Sequence, residues 1–221
     1  MDKNVKGIEH MQAGRLEEAA VAFNEAIEQN PADPVGYINF GNLLAATGDN
    51  ERAMKFFQKA LELDENAAAA YYSIGTLHYN KKDFEKATVM FEAARKKGLD
   101  SSDNFFMLGM SLSQEGKTRL ALPFLQRSVE LMPEDVDARF HYGLCLAQEN
   151  QLDLAIGQFE ECIKHDPNHA DAYYNLGVAY AFKEETAKAL DYLNESLRIE
   201  PGHTMAASVK NFIEETLSSQ Q

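Results

Sequence analysis

A glycine recurs every 34 residues along almost the whole of this chain, and that period constrains the fold more than any other feature. The glycines are Gly7, Gly41, Gly75, Gly109, Gly143 and Gly177. Twelve residues after each glycine stands an alanine, at Ala19, Ala53, Ala87, Ala121, Ala155 and Ala189. A period of roughly 20 to 50 residues is typical of proteins that build one structural unit per period and stack the units. The sequence therefore predicts an array of six similar units.

The residues that follow each alanine indicate two packed helices per unit. A large apolar residue comes four positions later, at Phe23, Phe57, Phe91, Leu125, Phe159 and Leu193. A small residue comes three positions after that, at Ala26, Ala60, Ala94, Ser128, Cys162 and Ser196. Small residues let two helix backbones approach closely, and the large residue fills the space beside the crossing. Four units then close with a proline, which ends the second helix, at Pro31, Pro133, Pro167 and Pro201.

Turn and cap residues fall between the expected helices. Gly14, Gly48, Gly116 and Asn150 are suited to a positive φ at helix ends. Asp33-Pro34 and Ser101-Ser102 are helix-start signals. Pro123 falls inside the second helix of the fourth unit, where it predicts a kink unless that helix begins only near Leu120.

This small–large–proline pattern resembles the tetratricopeptide repeat, and residues 172–180, Ala-Tyr-Tyr-Asn-Leu-Gly-Val-Ala-Tyr, are close to its consensus. The chain is also similar to the short all-repeat cytoplasmic proteins of Gram-positive bacteria. The resemblance implies an all-α fold, a right-handed superhelical solenoid of six helix pairs followed by a capping helix. The expected units are 1–33, with a clipped first helix, then 34–67, 68–101, 102–135, 136–169 and 170–203.

The segment after Pro201 keeps a helical spacing of apolar residues, which predicts a capping helix over 204–217 and a loose tail over 218–221. One apolar side, expected to cover the last repeat, comprises Met205, Val209, Phe212, Ile213 and Leu217.

The resemblance also implies a ligand groove lined by the first helix of each unit. With the glycine numbered as position 8 of its unit, positions 2, 5, 9 and 12 face that groove. The groove residues expected here are Ile38, Asn42, Tyr72, Thr76, Tyr79, Asp103, Phe106, Met110, Asp137, Phe140, Leu144, Asp171, Tyr174 and Val178. Aromatic residues at position 5 would bind apolar side chains, and aspartates at position 2 would select Lys or Arg. Alternatively, the aromatics pack against neighbouring helices and the aspartates complement helix dipoles.

Neither catalysis nor a cofactor is indicated by the motifs. The sequence has no Walker loop, dinucleotide-binding glycine cluster, nucleophile elbow or HExxH motif. His165 and His169 are interpreted as surface residues rather than metal ligands, and Cys145 and Cys162 as core residues rather than nucleophiles. We therefore expect a protein that is not an enzyme and has no catalytic, metal or cofactor residues.

Charge and apolar content limit the classes of partner and compartment. The chain has 35 acidic and 21 basic residues, a net charge of −14, which disfavours nucleic acid as a partner. It has no apolar stretch near its N-terminus and no 18-residue apolar run, so we expect neither a signal peptide nor a membrane span, and a cytoplasmic location.

Two functions stay open at this point. The first is an adaptor that binds a peptide or protein segment with apolar and basic residues in the groove. The second is a structural module that self-associates by stacking another copy on Met1, Ile8 and Met11 of the clipped first helix. Light scattering at several concentrations separates the two.

Overall fold

The computed structural model of the protein describes residues 2–219. Within that range it contains thirteen α-helices and no β-strand. They are α1 (Lys3–Gln12), α2 (Leu16–Gln29), α3 (Pro34–Ala46), α4 (Asn50–Leu63), α5 (Ala68–Asn80), α6 (Phe84–Lys96), α7 (Ser102–Gln114), α8 (Thr118–Leu131), α9 (Val136–Gln148), α10 (Leu152–His165), α11 (Ala170–Phe182), α12 (Thr186–Ile199) and α13 (Thr204–Ser219). The predicted all-α fold of paired helices is confirmed. The repeats group into two larger compact units. We call them the first unit, which ends at Glu115, and the second unit, which begins at Gly116.

Close contact between the two helices of a repeat depends on the glycine at position 8. A Cβ atom added at Gly41 would lie 2.5 Å from Cε1 of Phe57, and one added at Gly75 would lie 2.7 Å from Cε1 of Phe91. Both phenylalanines are fully buried, at 0% exposure. The ring therefore occupies the volume that any larger residue would need, and the interior is too densely packed to give it up cheaply.

The turn within each repeat keeps one geometry, whatever residue occupies it. Gly14, Gly48, Gly116 and Asn150 have φ values of 73°, 85°, 75° and 58°, as the sequence predicts. Two further turns place Lys82 at φ 61° and Glu184 at φ 62°. A positive φ costs a non-glycine residue about 1 to 2 kcal/mol. The packing of the helix pair therefore imposes this turn even where the local residue disfavours it.

Asn104 closes one of the two repeat junctions that lack a proline, the junction between α6 and α7. Gly98 turns the chain with φ 97°. The side-chain amide of Asn104, which is completely buried, then donates to the carbonyl oxygens of Leu99 at 3.0 Å and Phe91 at 3.2 Å. A buried amide that bonds two backbone carbonyls fixes the position of α7 against the end of α6. The sequence pattern did not single out this residue.

Pro123 is accommodated within a continuous helix. Helix α8 begins at Thr118, two residues before Leu120, and continues through Pro123 to Leu131. Pro123 is exposed, whereas Ala121 and Leu125 on either side of it are buried. The proline thus lies on the solvent side, where water can bond the carbonyl that loses its helical partner.

Helix α13 uses a narrower face for packing than its sequence predicted. Ala206 is buried, and Ile213 packs against the buried cluster that contains Leu176 and Tyr180. The prediction that Met205 and Phe212 cover the last repeat is wrong, because these residues are 55% and 70% exposed. They lie seven residues apart on a different side of the helix from Ala206 and Ile213.

The helix also continues to Ser219, two residues into the predicted tail. The last two residues of that tail, Gln220 and Gln221, lie outside the described residues. No helix within 2–219 combines the length and the apolar character needed to cross a bilayer.

Candidate functional site

The first helices of the repeats in the first unit line an open groove of about 750 Å³, which we call the first-unit groove. It is lined by Met11, Asn42, Ala45, Ala46, Phe57, Ala69, Tyr72, Ser73, Thr76, Leu77, Asn80, Leu99, Ser101 and Asp103. Four of the residues expected from the sequence are among them, namely Asn42, Tyr72, Thr76 and Asp103. The volume falls within the range of about 300 to 1,000 Å³ that is typical of ligand sites.

Small side chains give this groove its depth, and polar groups mark its walls. Ala46 and Ala69 are exposed within it and leave room for a ligand's side chains. The hydroxyl of Ser73 donates to Oδ1 of Asn42 at 2.8 Å, which leaves the amide N–H groups of Asn42 for another acceptor. The lining includes one carboxylate, Asp103, and no Lys or Arg.

Tyr72 forms a wall of the groove from the middle of α5. Its ring centroid lies 5.5 Å from that of Phe91, so one side of the ring is fixed by the core of its own repeat. Burial, and secondarily the charge of Asp103, raise the pKa of the Tyr72 hydroxyl. The phenol therefore stays protonated at neutral pH and retains a hydrogen to donate.

Several residues expected in the groove contribute less surface than the pattern implied. Ile38 and Met110 are only 7% and 8% exposed. Tyr79 packs edge-on against Phe84, with centroids 5.3 Å apart, and does not line the groove. Phe106 is half-buried. Helical spacing places a residue on a face, but the neighbouring helices decide how much of it a ligand can reach.

In the second unit, six expected residues lie on α9 and α11. Those on the first turns, Asp137 and Asp171, are exposed, and the remaining four are half-buried, namely Phe140, Leu144, Tyr174 and Val178. Each aromatic ring is covered on one side by an imidazole, because His169 lies 4.6 Å from Phe140 and His203 lies 4.9 Å from Tyr174 between ring centroids. The aromatic rings of this unit therefore offer a ligand less surface than rings without a neighbouring imidazole would.

These histidines are helix N-caps. Nδ1 of His169 accepts from the backbone N–H of Ala172 at 3.2 Å, and Nδ1 of His203 accepts from that of Ala206 at 3.2 Å. An accepting Nδ1 places the proton of His203 on Nε2, which donates to Oδ1 of Asp171 at 3.1 Å. Of the two histidines interpreted as surface residues, His165 is exposed and His169 is half-buried beside Phe140. Histidine is an uncommon N-cap residue, so the caps at His169 and His203 were not predicted from the sequence.

A third histidine of this unit, His141, follows Phe140 on α9. Burial lowers the pKa of His141, while the carboxylates of Asp137 and Asp135 act in the opposite direction. The neutral ring is therefore the favoured form in the folded protein at neutral pH.

Both cysteines lie in the core, as expected. Cys145 and Cys162 are 3% and 0% exposed. Burial raises the pKa of Cys162 to about 12, so this thiol is protonated and unreactive at neutral pH. Within residues 2–219, no group of three His, Cys, Asp or Glu side chains is arranged to hold a metal ion.

Comparison with protein families matches most of the chain to one repeat type. Models described as tetratricopeptide repeat match residues 10–73, 44–108, 106–162 and 170–203, and one described as TPR repeat matches 143–182. The Bacillus subtilis TPR repeat-containing protein YrrB is 51% identical over 41 residues, which is 19% of this chain and 20% of that protein.

Solved structures extend the similarity to nearly the whole chain. The crystal structure of YrrB, described as a TPR protein with an unusual peptide-binding site, is 47% identical, with a TM-score of 0.82. That alignment covers 87% of this chain and 99% of the other. The structure of PilF from Pseudomonas aeruginosa has a TM-score of 0.82, 19% identity and 95% coverage of both chains, which supports the fold alone.

Proposed function

This chain belongs to the tetratricopeptide-repeat family, whose members are protein-interaction modules, and we propose that it is a non-catalytic adaptor that binds an extended segment of a partner protein in the first-unit groove. The observation that carries the proposal is the groove itself, which is open, has a volume of about 750 Å³ and is lined by alanines with polar groups between them. The description of a peptide-binding site in YrrB supports the same class of ligand.

The lining favours one kind of segment. An extended peptide presents backbone carbonyls, which the amide groups of Asn42 and Asn80 would bond. Its small or medium apolar side chains would enter the space above Ala46 and Ala69. Asp103 and the net charge of −14 favour Lys or Arg nearby, both in the complex and during approach.

The proposal is tested by filling the groove without disturbing the core. Peptides selected from a random library on the wild-type protein are measured by fluorescence anisotropy against the variant Ala46→Gln/Ala69→Gln. We expect about tenfold weaker binding or more, because two longer side chains would occupy the ligand's space. The matched control is Ala32→Gln/Ala187→Gln, at two exposed alanines outside the groove, and it should keep wild-type affinity. Equal affinity of the two variants would rule out this groove.

Self-association is a second proposal, and it has its own observation. Val5 and Ile8 on α1 are 45% and 41% exposed and form an apolar edge. Of the other two residues expected to take part, Met11 lines the first-unit groove and Met1 lies outside the described residues. Light scattering over a wide concentration range tests the idea. A constant monomer mass would leave the adaptor, and a mass that rises in the wild type but not in Val5→Ser/Ile8→Ser would support stacking.

A further inference from the structure

Two phenylalanines are the most exposed of the large apolar residues in the described chain, and both lie in the second unit. Phe182, the last residue of α11, is 75% exposed, and Phe212 in the middle of α13 is 70% exposed. Met205 in the first turn of α13 is 55% exposed. A single exposed apolar residue is ordinary, whereas several on one face mark an interaction site.

By repeat register, these three residues are equivalent to residues that line the first-unit groove. Helices α11 and α13 begin at 170 and 204, four periods of 34 residues after the starts of α3 and α5 at 34 and 68. Shifting three residues that line the first-unit groove by four periods gives the three exposed residues. The pairs are Ala46 and Phe182, Ala69 and Met205, and Thr76 and Phe212. At these three positions, two alanines and a threonine of the first unit are thus replaced by large apolar residues in the second.

We propose that Phe182, Met205 and Phe212 form a second docking surface, for a partner-protein segment that combines large apolar side chains with Lys or Arg. None of the three is needed to hold α13 in place, because that helix packs through Ala206 and Ile213 instead. Aromatic and methionine side chains are the ones enriched in the centres of protein interfaces. The large side chains would fill spaces between a partner's own apolar residues.

The charge around this surface identifies the partner's charge. Residues 170–219 contain eight Asp and Glu residues against four Lys and Arg residues, a local net charge of −4. Lys183 is paired with Asp153 at 2.6 Å, and Lys210 lies 3.8 Å from Glu214. Glu184 and Glu215 are exposed and have no ion pair within residues 2–219. Basic side chains would therefore find uncompensated carboxylates beside the apolar surface.

The same charge argues against two other occupants. A second copy of this chain also carries a net charge of −14, and two such molecules repel each other. A membrane rich in anionic lipid repels the local carboxylates in the same way. A basic protein segment is the one of the three occupants that both the apolar side chains and the charges attract.

The experiment uses the full chain with its first-unit groove filled by Ala46→Gln/Ala69→Gln, so that binding there does not contribute. The probes are two labelled synthetic peptides of equal length, one of Leu and Lys at amphipathic helical spacing and one with Glu in place of every Lys. Fluorescence anisotropy should show the Leu–Lys peptide binding at least roughly tenfold more tightly. Adding Phe182→Ser/Phe212→Ser should weaken that binding about tenfold or more.

The matched control adds Leu120→Ser/Leu154→Ser, which removes two second-unit side chains of 59% and 56% exposure elsewhere. It should leave the affinity unchanged. Circular dichroism should show the same helix content in both variants, because the four side chains are exposed. The proposal is overturned if the phenylalanine variant binds like the control, or if the Leu–Glu peptide binds equally well. It is also overturned if Phe182 and Phe212 act instead in concentration-dependent self-association or in binding to anionic phospholipid vesicles. Each of these results leaves the proposal for the first-unit groove standing.

Discussion

The two units are built from the same kind of helix pair, but they differ in the residues that cap their helices and in the side chains that they expose. In the first unit, side-chain oxygens of Asp33 and Ser101 cap α3 and α7, and alanines leave a groove. In the second unit, imidazoles cap α11 and α13 and pack at a tilt against aromatic rings, and large apolar side chains are exposed to solvent. The helix pair depends on a few buried small and large residues. The remaining positions of each repeat are therefore free to specify different surfaces.

The largest effect that this comparison predicts is confined to the second unit. Deleting residues 204–221 removes Ile213, which packs against the buried cluster that contains Leu176 and Tyr180, and so exposes part of that cluster. We expect aggregation, visible by light scattering, and faster hydrogen exchange over 170–200 than in the intact chain. The variant Phe212→Ser should produce neither change, because its side chain is already exposed. A soluble, monomeric truncation with unchanged exchange would show that α13 does not stabilise this unit.

In the first unit, Asn104→Ala should reduce the free energy of unfolding by about 2 kcal/mol, since it deletes two buried hydrogen bonds and leaves a small cavity. Urea denaturation measures the loss, and hydrogen exchange should locate it at 97–105. Asn80→Ala, an exposed asparagine at the end of α5, is the control and should change stability little. If the two variants are equally stable, Asn104 does not fix this junction.

A smaller predicted effect is a pH dependence of stability in the second unit, which contains His141. The lowered pKa of His141 means that the unfolded chain binds its proton more readily than the folded one. This contribution to stability is fully present above the ordinary histidine pKa of about 6.5 and is lost as the pH falls through the lowered folded value.

Hydrogen exchange at pH 7.5 and 5.5, corrected for intrinsic rates, measures the stability of each unit separately. The second unit should lose protection at the lower pH, and His141→Gln should lose less. A variant that follows the wild-type profile would exclude His141 as a cause.

The smallest effect concerns Asp103 at the rim of the first-unit groove. Asp103→Asn should make the binding of a Lys- or Arg-containing peptide weaker by about 0.5 kcal/mol, as expected for the loss of an exposed charge pair. It should also reduce the salt dependence of that binding. Calorimetry on a selected peptide measures both. The same variant should lower the pKa of Tyr72, because the charge of Asp103 helps to raise it. Asp191→Asn, on α12, is the control, and identical behaviour of the two variants would place the ligand elsewhere.

The amino-acid sequence alone determined the number of helix pairs and the contacts that hold each pair together. Six glycines, six alanines and six large apolar residues at one period predicted the helix pairs, and the structure buries the large residues and all six alanines. These contacts are predictable because both partners lie within one repeat, twelve or sixteen residues apart in sequence. The glycine turns and the caps by Asp33 and Ser101 were predictable for the same reason, since they depend on adjacent residues.

The tertiary structure decided which residues a partner can reach. Ile38 and Met110 have the spacing of groove residues and are buried, while Met205 and Phe212 have the spacing of core residues and are exposed. His169 and His203 cap helices, and the buried amide of Asn104 bonds backbone carbonyls of the preceding repeat. No sequence motif predicted these contacts. A helical period fixes the direction of a side chain from its own axis. Its exposure depends on the distance and side chains of neighbouring helices, which the period does not encode.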